Sequence, residues 1–468
     1  MTTESIALMA HLFRRAGFGA TIEELERHAA KGYEETVEEL LHPERQPEWD
    51  EERLFRDFPE LQDRTAIEPG QIFWTHKLIA TRRPLEEKMA LFWHGVLCTG
   101  AGKADNVRQV TIQIDMFRRL GLGRFPDVLV ELSKDPAMLY YLDNTENHKG
   151  AINENYGREL LELFSMGVGM DGEANYTEED VQACSRAFTG WGIKPPLPTD
   201  PYGPHTWTFY YDATDHDDGE KTFLGETGRW NGEDVIEILA RQPATRRFIA
   251  RHLYNFFVAD EPIVPAWKDI PPRDPQAIET LERVFMESDY DMLQVMRVLL
   301  NSDFFKDARF QKVKSPVEVV IGTVKQTGEF AANKPGALDL VMEMRYMGQD
   351  ILNPPTVEGW HTGKDWVDSG TLVERINYTA DQMGNLDHPG VRSIVDRLAS
   401  TGPALSPESL VDGCLDILGG YRLPRETRDK LVSHLAKGGD LDTSGEEFGR
   451  RVAQTLQLIV ATQEYQFA

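Results

Sequence analysis

Apolar residues recur at steps of three and four through one segment after another of this chain, the spacing that lines up a single face of an α-helix. In LEEKMALFWHGVLC, residues 85–98, the stripe is Leu85, Met89, Phe92, Trp93 and Val96. The same period runs through DNVRQVTIQIDMFRRLGLG, FPDVLVELSKDPAMLYYLD, ATRRFIARHLYNFFV and DMLQVMRVLLNSDFF. Helix ends are legible too. Thr177 followed by Asp180 predicts a capping box, with Glu178 and Glu179 beside the positive end of the helix dipole. The expected class is mainly α, a large multi-helix globular protein, and 468 residues suffice for one large folded unit or a few joined ones.

Two long stretches rich in Pro, Gly and Trp break the rhythm. GWGIKPPLPTDPYGPHTWTFYYDATDHDDGEKTFLG, from Gly190, reads as a loop leading to short strands, with a small β-hairpin near residues 205–225 turning at Asp218-Gly219. GQDILNPPTVEGWHTGKDWVDSG, residues 348–370, has the same character, and its bulky Trp360 and Trp366, like Trp191 and Trp207 in the first stretch, predict packed loops. DEPIVPAWKDIPPRDP, near residues 260–275, reads as a linker lying against the surface. The expected organisation is a helical core over 1–378, with a loop and β insertion at about 190–230, and a C-terminal helical segment over 379–468 packed on it.

Fifty basic residues against 77 acidic ones leave a net charge of −27, a field that repels phosphate backbones, so nucleic acid is not an expected partner. Cys98, Cys184 and Cys414 are too scattered for a disulfide framework or a cysteine zinc site. No export-type leader and no apolar run of about 18 residues is present, so no membrane insertion and a cytoplasmic location are expected. Glycine-rich nucleotide motifs, HExxH and GxSxG are absent as well. A cofactor is not expected, a divalent metal being the alternative.

NENYGRELLELF, residues 153–164, concentrates charge on a good helix. Around Leu160 at about 100° per residue, Tyr156, Leu163 and Phe164 form one apolar face, while Glu154, Arg158 and Glu162 fall opposite and Glu159 lies on the flank. Such an ionic face is either solvated, with pairs worth about 0.2–0.5 kcal/mol, or lines a cavity in which Arg158 holds one carboxylate ionised while another moves protons. Upstream, a helix from Pro136 should end near Asp143 and hand over to a loop with His148, bringing Asp143, His148, Glu154 and Glu159 within reach of one another. His94 sits on a mostly apolar helix, where a core role is the simpler reading. With His216, Asp217 and a glutamate it would form an alternative metal site.

HLFRRAGFGAT, KMALFWHGVL, DPAMLYYLDN, NENYGRELLELFSMGVG, YTEEDVQACSRAFTGW, DHDDGEKTFLG, KSPVEVV and PPTVEGW, in this order over roughly residues 8–378, resemble the bacterial family known as domain of unknown function 1800. The resemblance implies a large helical protein and places Asn153, Glu154, Asn155, Arg158, Glu159 and Glu162 on family motif positions. Gly157 stands where similar sequences usually carry Ala, Gly95 and Val96 where they carry Asn-His, and His361 where they tend to carry Pro. Many similar proteins look secreted.

The expectation is an enzyme, a hydrolase or lyase working on a polar small substrate, carbohydrates included, through paired carboxylates. Asp143, Glu154, Arg158 and Glu159 are its expected catalytic residues. Asn153, Asn155 and Glu162 would contact the substrate, with Trp191, Trp360 and Trp366 as stacking faces. The alternatives are the metalloenzyme built on His94, His216 and Asp217, and a non-enzymatic binding or scaffold protein held by a buried ionic network.

Overall fold

The structure, a computed structural model, describes residues 2–63, 66–104, 106–194, 206–436 and 439–468. Among them, 24 α-helices alternate with 3-10 turns and four two-stranded antiparallel ladders, the mainly α class that the periodicity predicts. None of these helices is long and apolar enough to cross a membrane.

Side-chain caps set the helix ends. The Thr177 hydroxyl accepts from Asp180 N, while the Asp180 carboxylate accepts from Thr177 N at 2.9 Å. Ser315 and Glu318 repeat the arrangement, with Pro316 in the first turn of the helix Pro316–Thr327. The apolar stripe FPDVLVELSKDPAMLYYLD divides into Phe125–Lys134 and Pro136–Tyr141, because Pro136 has no N–H to continue the first helix. Asp135 caps the second through Met138 N at 3.1 Å.

The apolar faces merge into one large cluster running from Met9 to Tyr378, with Trp74, Trp93, Phe117 and Phe125 wholly buried. A second cluster joins Ile22 to side chains between Met383 and Tyr465. The helix Ser369–Gly384 packs on both Pro316–Thr327 and Glu446–Val460, linking the two. Residues 260–275 are pinned: Trp267 is buried and donates to Pro262 O at 2.7 Å, under an Arg251 guanidinium that also pairs with Glu261.

In the insertion, Trp191–Lys194 pairs with Thr208–Tyr211, and residues 195–205 of its Pro-rich part lie outside the described residues. The tight hairpin turn falls at Leu224-Gly225 rather than Asp218-Gly219. Leu224 and Gly225 both take the positive φ that a two-residue turn between Lys221–Phe223 and Glu226–Gly228 requires. Asp217 instead accepts from Gly219 N and is gripped by Arg186, which fixes that stretch as a loop.

The helix Asn155–Glu162 packs closely against Glu178–Ala187. A Cβ at Gly157 would lie inside the van der Waals shell of the Ser185 hydroxyl and 3.0 Å from Ser185 N. Gly157→Ala is therefore expected to cost about 1–3 kcal/mol in chemical denaturation. Ser185→Ala added to it should restore part of the loss, and a G157A protein with the wild-type midpoint would contradict this packing.

Candidate active site

Amide side chains build the entry to the helix Asn155–Glu162. Asn147 Oδ1 accepts from Asn153 N at 3.1 Å, Asn153 Oδ1 accepts from Asn155 N at 3.0 Å, and Asn155 Nδ2 donates to Asp143 Oδ2 at 3.1 Å. Asn153 Nδ2 also donates to Asp143 O at 3.3 Å. Asp143 itself has φ 57°, a left-handed conformation that Asp tolerates better than most residues. Its carboxylate also meets Lys103 Nζ at 3.5 Å. The two asparagines thus fix the angle at which the charged helix leaves the loop.

The ionic residues on this helix then separate into two groups. Arg158 reaches Glu178 at 2.7 Å and Glu154 at 3.2 Å, with Glu178 exposed and the other two side chains partly so, which makes these surface pairs worth about 0.2–1 kcal/mol. Glu159 and Glu162 are half-buried. Glu162 accepts from the Tyr176 hydroxyl at 3.1 Å, whereas the Glu159 carboxyl has no hydrogen-bond partner among the described residues. Burial, and then the neighbouring charges of Glu162 and Glu358, push the Glu159 carboxyl up to about 7.

Glu358 is the member that sequence reasoning missed. It arrives on a turn closed by a Thr356–Gly359 bridge, and Gly359, at φ 89°, lies so close to Gly95 O and Cys98 Sγ that no side chain fits there. The available signal was the acid inside PPTVEGW, held between a Pro pair and a Gly. Glu358 also lines a cavity of about 140 Å³ with Trp360, His361, Trp366, His252 and Asn255. Trp360 is half-buried on this wall and Trp366 nearly fully buried. His252 Nε2 is buried with no partner among the described residues, and burial followed by the nearby Arg251 charge lowers this imidazole to about 3, keeping it neutral.

Other expected site residues lie elsewhere. Trp191 is 2 % exposed, packs between Phe188 and Phe209 and donates to Asn231 Oδ1 at 3.0 Å, so it presents no stacking face. His148 joins Asp215 at 2.6 Å instead of the carboxylates of the helix. The alternative metal set is not assembled. His94 is wholly buried between Trp74 and Trp360, where burial lowers it to about 3. His216 Nδ1 donates to Thr189 O at 3.0 Å, and Asp217 is paired with Arg186 at 2.6 Å. Among the described residues no three His, Cys, Asp or Glu side chains converge as metal ligands do.

The raised Glu159 carboxyl has a direct consequence for stability. Its folded-state pKa exceeds the ordinary 4.5, so folding favours the protonated form. That contribution is complete below about pH 4.5 and is lost as the pH rises through about 7. Discounted for the solvent reaching this half-buried group, it amounts to about 1 kcal/mol. Glu159→Gln, which cannot ionise, should therefore gain about that much stability relative to the native protein between about pH 5 and pH 8. A pH-independent difference between the two proteins would show that the carboxyl is not desolvated.

The family described as "Protein of unknown function (DUF1800)" matches residues 11–467, which carries the likeness past residue 378 and through the C-terminal helices. No curated protein and no solved structure matches the chain.

Proposed function

The chain belongs to the DUF1800 family of proteins of unknown function, and we propose that it is an enzyme of the hydrolase or lyase type, acting on a polar small substrate with the Glu159 carboxyl as its proton carrier. One observation carries this reading: a half-buried carboxyl without a hydrogen-bond partner among the described residues feels the charges of Glu162 and Glu358, and Glu358 borders the cavity walled by Trp360. Carboxyls whose surroundings pull their proton affinities apart are the standard means of acid and base chemistry near neutrality.

In hydrolysis, protonated Glu159 gives its proton to the leaving oxygen as the bond to it breaks, while Glu358 takes a proton from the attacking water. In elimination, Glu358 takes a carbon-bound proton instead. Trp360 supplies an apolar ring face, suited to a sugar-like substrate with one hydrophobic side. Arg158, Glu154, Asp143, Asn153 and Asn155 act through the helix they position, and Tyr176 orients Glu162.

The reading is tested by offering the purified protein a panel of chromogenic glycosides, esters and acidic polysaccharides. Turnover that Glu159→Gln and Glu358→Gln each abolish, with neither variant less stable than the native protein, supports it. A well-folded protein that turns over none of them favours the binding or scaffold alternative.

A further inference from the structure

The charged residues of three motif stretches, HLFRRAGFGAT, KMALFWHGVL and KSPVEVV, take no part in the site above, yet the fold brings them together in the interior. Arg15 and Lys88 are wholly buried, and both donate to Glu318 Oε1, at 2.8 and 2.5 Å. The second Glu318 oxygen accepts from Ser315 N at 2.7 Å, so this carboxylate is fully engaged. Three further cations lie in the same region without any carboxylate partner among the described residues: Arg14, Lys314 and Arg375. Arg375, itself wholly buried, donates Nη1 to Lys314 O at 2.9 Å, and its other guanidinium nitrogens have no partner there.

Arg14 and Lys314 face one cavity of about 40 Å³, together with Glu318, Tyr421, Tyr465 and Thr323. The Arg14 guanidinium lies between the Phe310 and Tyr421 rings, at 5.0 and 5.1 Å, and its Nε and Nη2 are buried with no partner among the described residues. Those two nitrogens form the edge of the guanidinium that binds an oxyanion through two parallel hydrogen bonds. Lys314 Nζ donates to the Tyr421 hydroxyl at 2.8 Å and to Tyr465 O at 2.6 Å, and lies 3.7 Å over the Tyr465 ring, leaving one ammonium proton for a ligand.

Aromatic faces offset part of the cost of burying these charges, but buried cations in excess of anions demand a counter-charge. Water in the cavity would satisfy donors without supplying one. We propose that this cavity is a binding site for a small tetrahedral oxyanion of the phosphate or sulfate class, held by the Arg14 Nε/Nη2 edge and the Lys314 ammonium. A space of about 40 Å³, room for roughly three water molecules, limits the occupant to a small ion with little attached to it. The two-pronged edge of Arg14 favours an oxyanion over a halide. The site is separate from the Glu159 region, so either reading can fail without the other.

The test measures inorganic phosphate on the full-length protein, by phosphorus NMR line broadening and by thermal unfolding at matched ionic strength. Phosphate and sulfate should each raise the melting temperature by a few degrees, saturably, while sodium chloride does not. Arg14→Lys, which keeps the charge but loses the fork, should weaken phosphate binding at least tenfold. The internal alternative is that Tyr421 loses its proton and serves as the counter-ion. Lys314 and Arg14 draw its pKa down against the opposing effect of burial. An ultraviolet tyrosinate band present at neutral pH and absent from Tyr421→Phe would overturn the proposal. So would wild-type protein that leaves the phosphate resonance unbroadened, an outcome that does not depend on whether any Arg14 variant folds.

Discussion

Replacing Glu318 by glutamine is expected to cost about 3–5 kcal/mol of folding free energy, because removing one member of a buried ion cluster leaves the others uncompensated. Arg15 and Lys88 would both face a neutral amide in a site with almost no solvent contact. The remaining bonds of Arg15, to Phe256 O and Phe257 O, hold the guanidinium in place and so prevent it from escaping to water. Lys88 has another way out. Burial, only partly offset by Glu318, already lowers it to about 8, and without that carboxylate it sheds its proton at still lower pH. Depressed proton affinity in a folded base means that stability rises with pH, and in the variant this rise begins earlier. The cost of E318Q should therefore shrink between about pH 7 and pH 9. Urea denaturation at both pH values measures this, and a loss below about 1 kcal/mol at pH 7 would mean that the cluster is solvated.

Much of the local structure was legible in the sequence because its causes are local. Periodicity placed Tyr156, Leu160 and Phe164 on the buried face of their helix, and the Thr177/Asp180 cap formed where the residues called for it. What periodicity could not resolve is which of these charges lose their water. On the wheel Glu154, Arg158 and Glu162 share one side, yet the fold divides them. Glu178 draws Arg158 and Glu154 outward, while Tyr176 and Glu358 meet the side that carries Glu162 and Glu159. Each of these partners lies in another element, so no window of sequence contains them. Trp191 shows the reverse error: a tryptophan in a Gly- and Pro-rich stretch suggested an open face, but the strand it begins lies against Phe188 and Phe209. Arg15 and Lys88 were hidden by helical stripes in which a charged residue normally faces water, and only tertiary packing reveals that they are interior.

The largest effect on function is expected at Glu159. If its carboxyl is the proton carrier, Glu159→Gln removes general acid catalysis outright, a loss of about 10²–10⁴ in kcat. Folding should not suffer with it, since among the described residues the side chain makes no hydrogen bond that glutamine would break. Glu154→Gln, by contrast, loses only an exposed pair with Arg158 and should keep activity within a few-fold. The same distinction appears in the pH dependence. A donor held near 7 gives a rate that falls on the alkaline side of about pH 7 as Glu159 ionises. The decisive measurement is the pH–rate profile of the native protein and of E159Q on whichever substrate of the panel is turned over. The prediction is an alkaline limb near pH 7 in the native profile, and a residual rate in E159Q that is at least about a hundredfold lower and lacks that limb. A variant that retains the native rate and the same alkaline limb would contradict the central assignment.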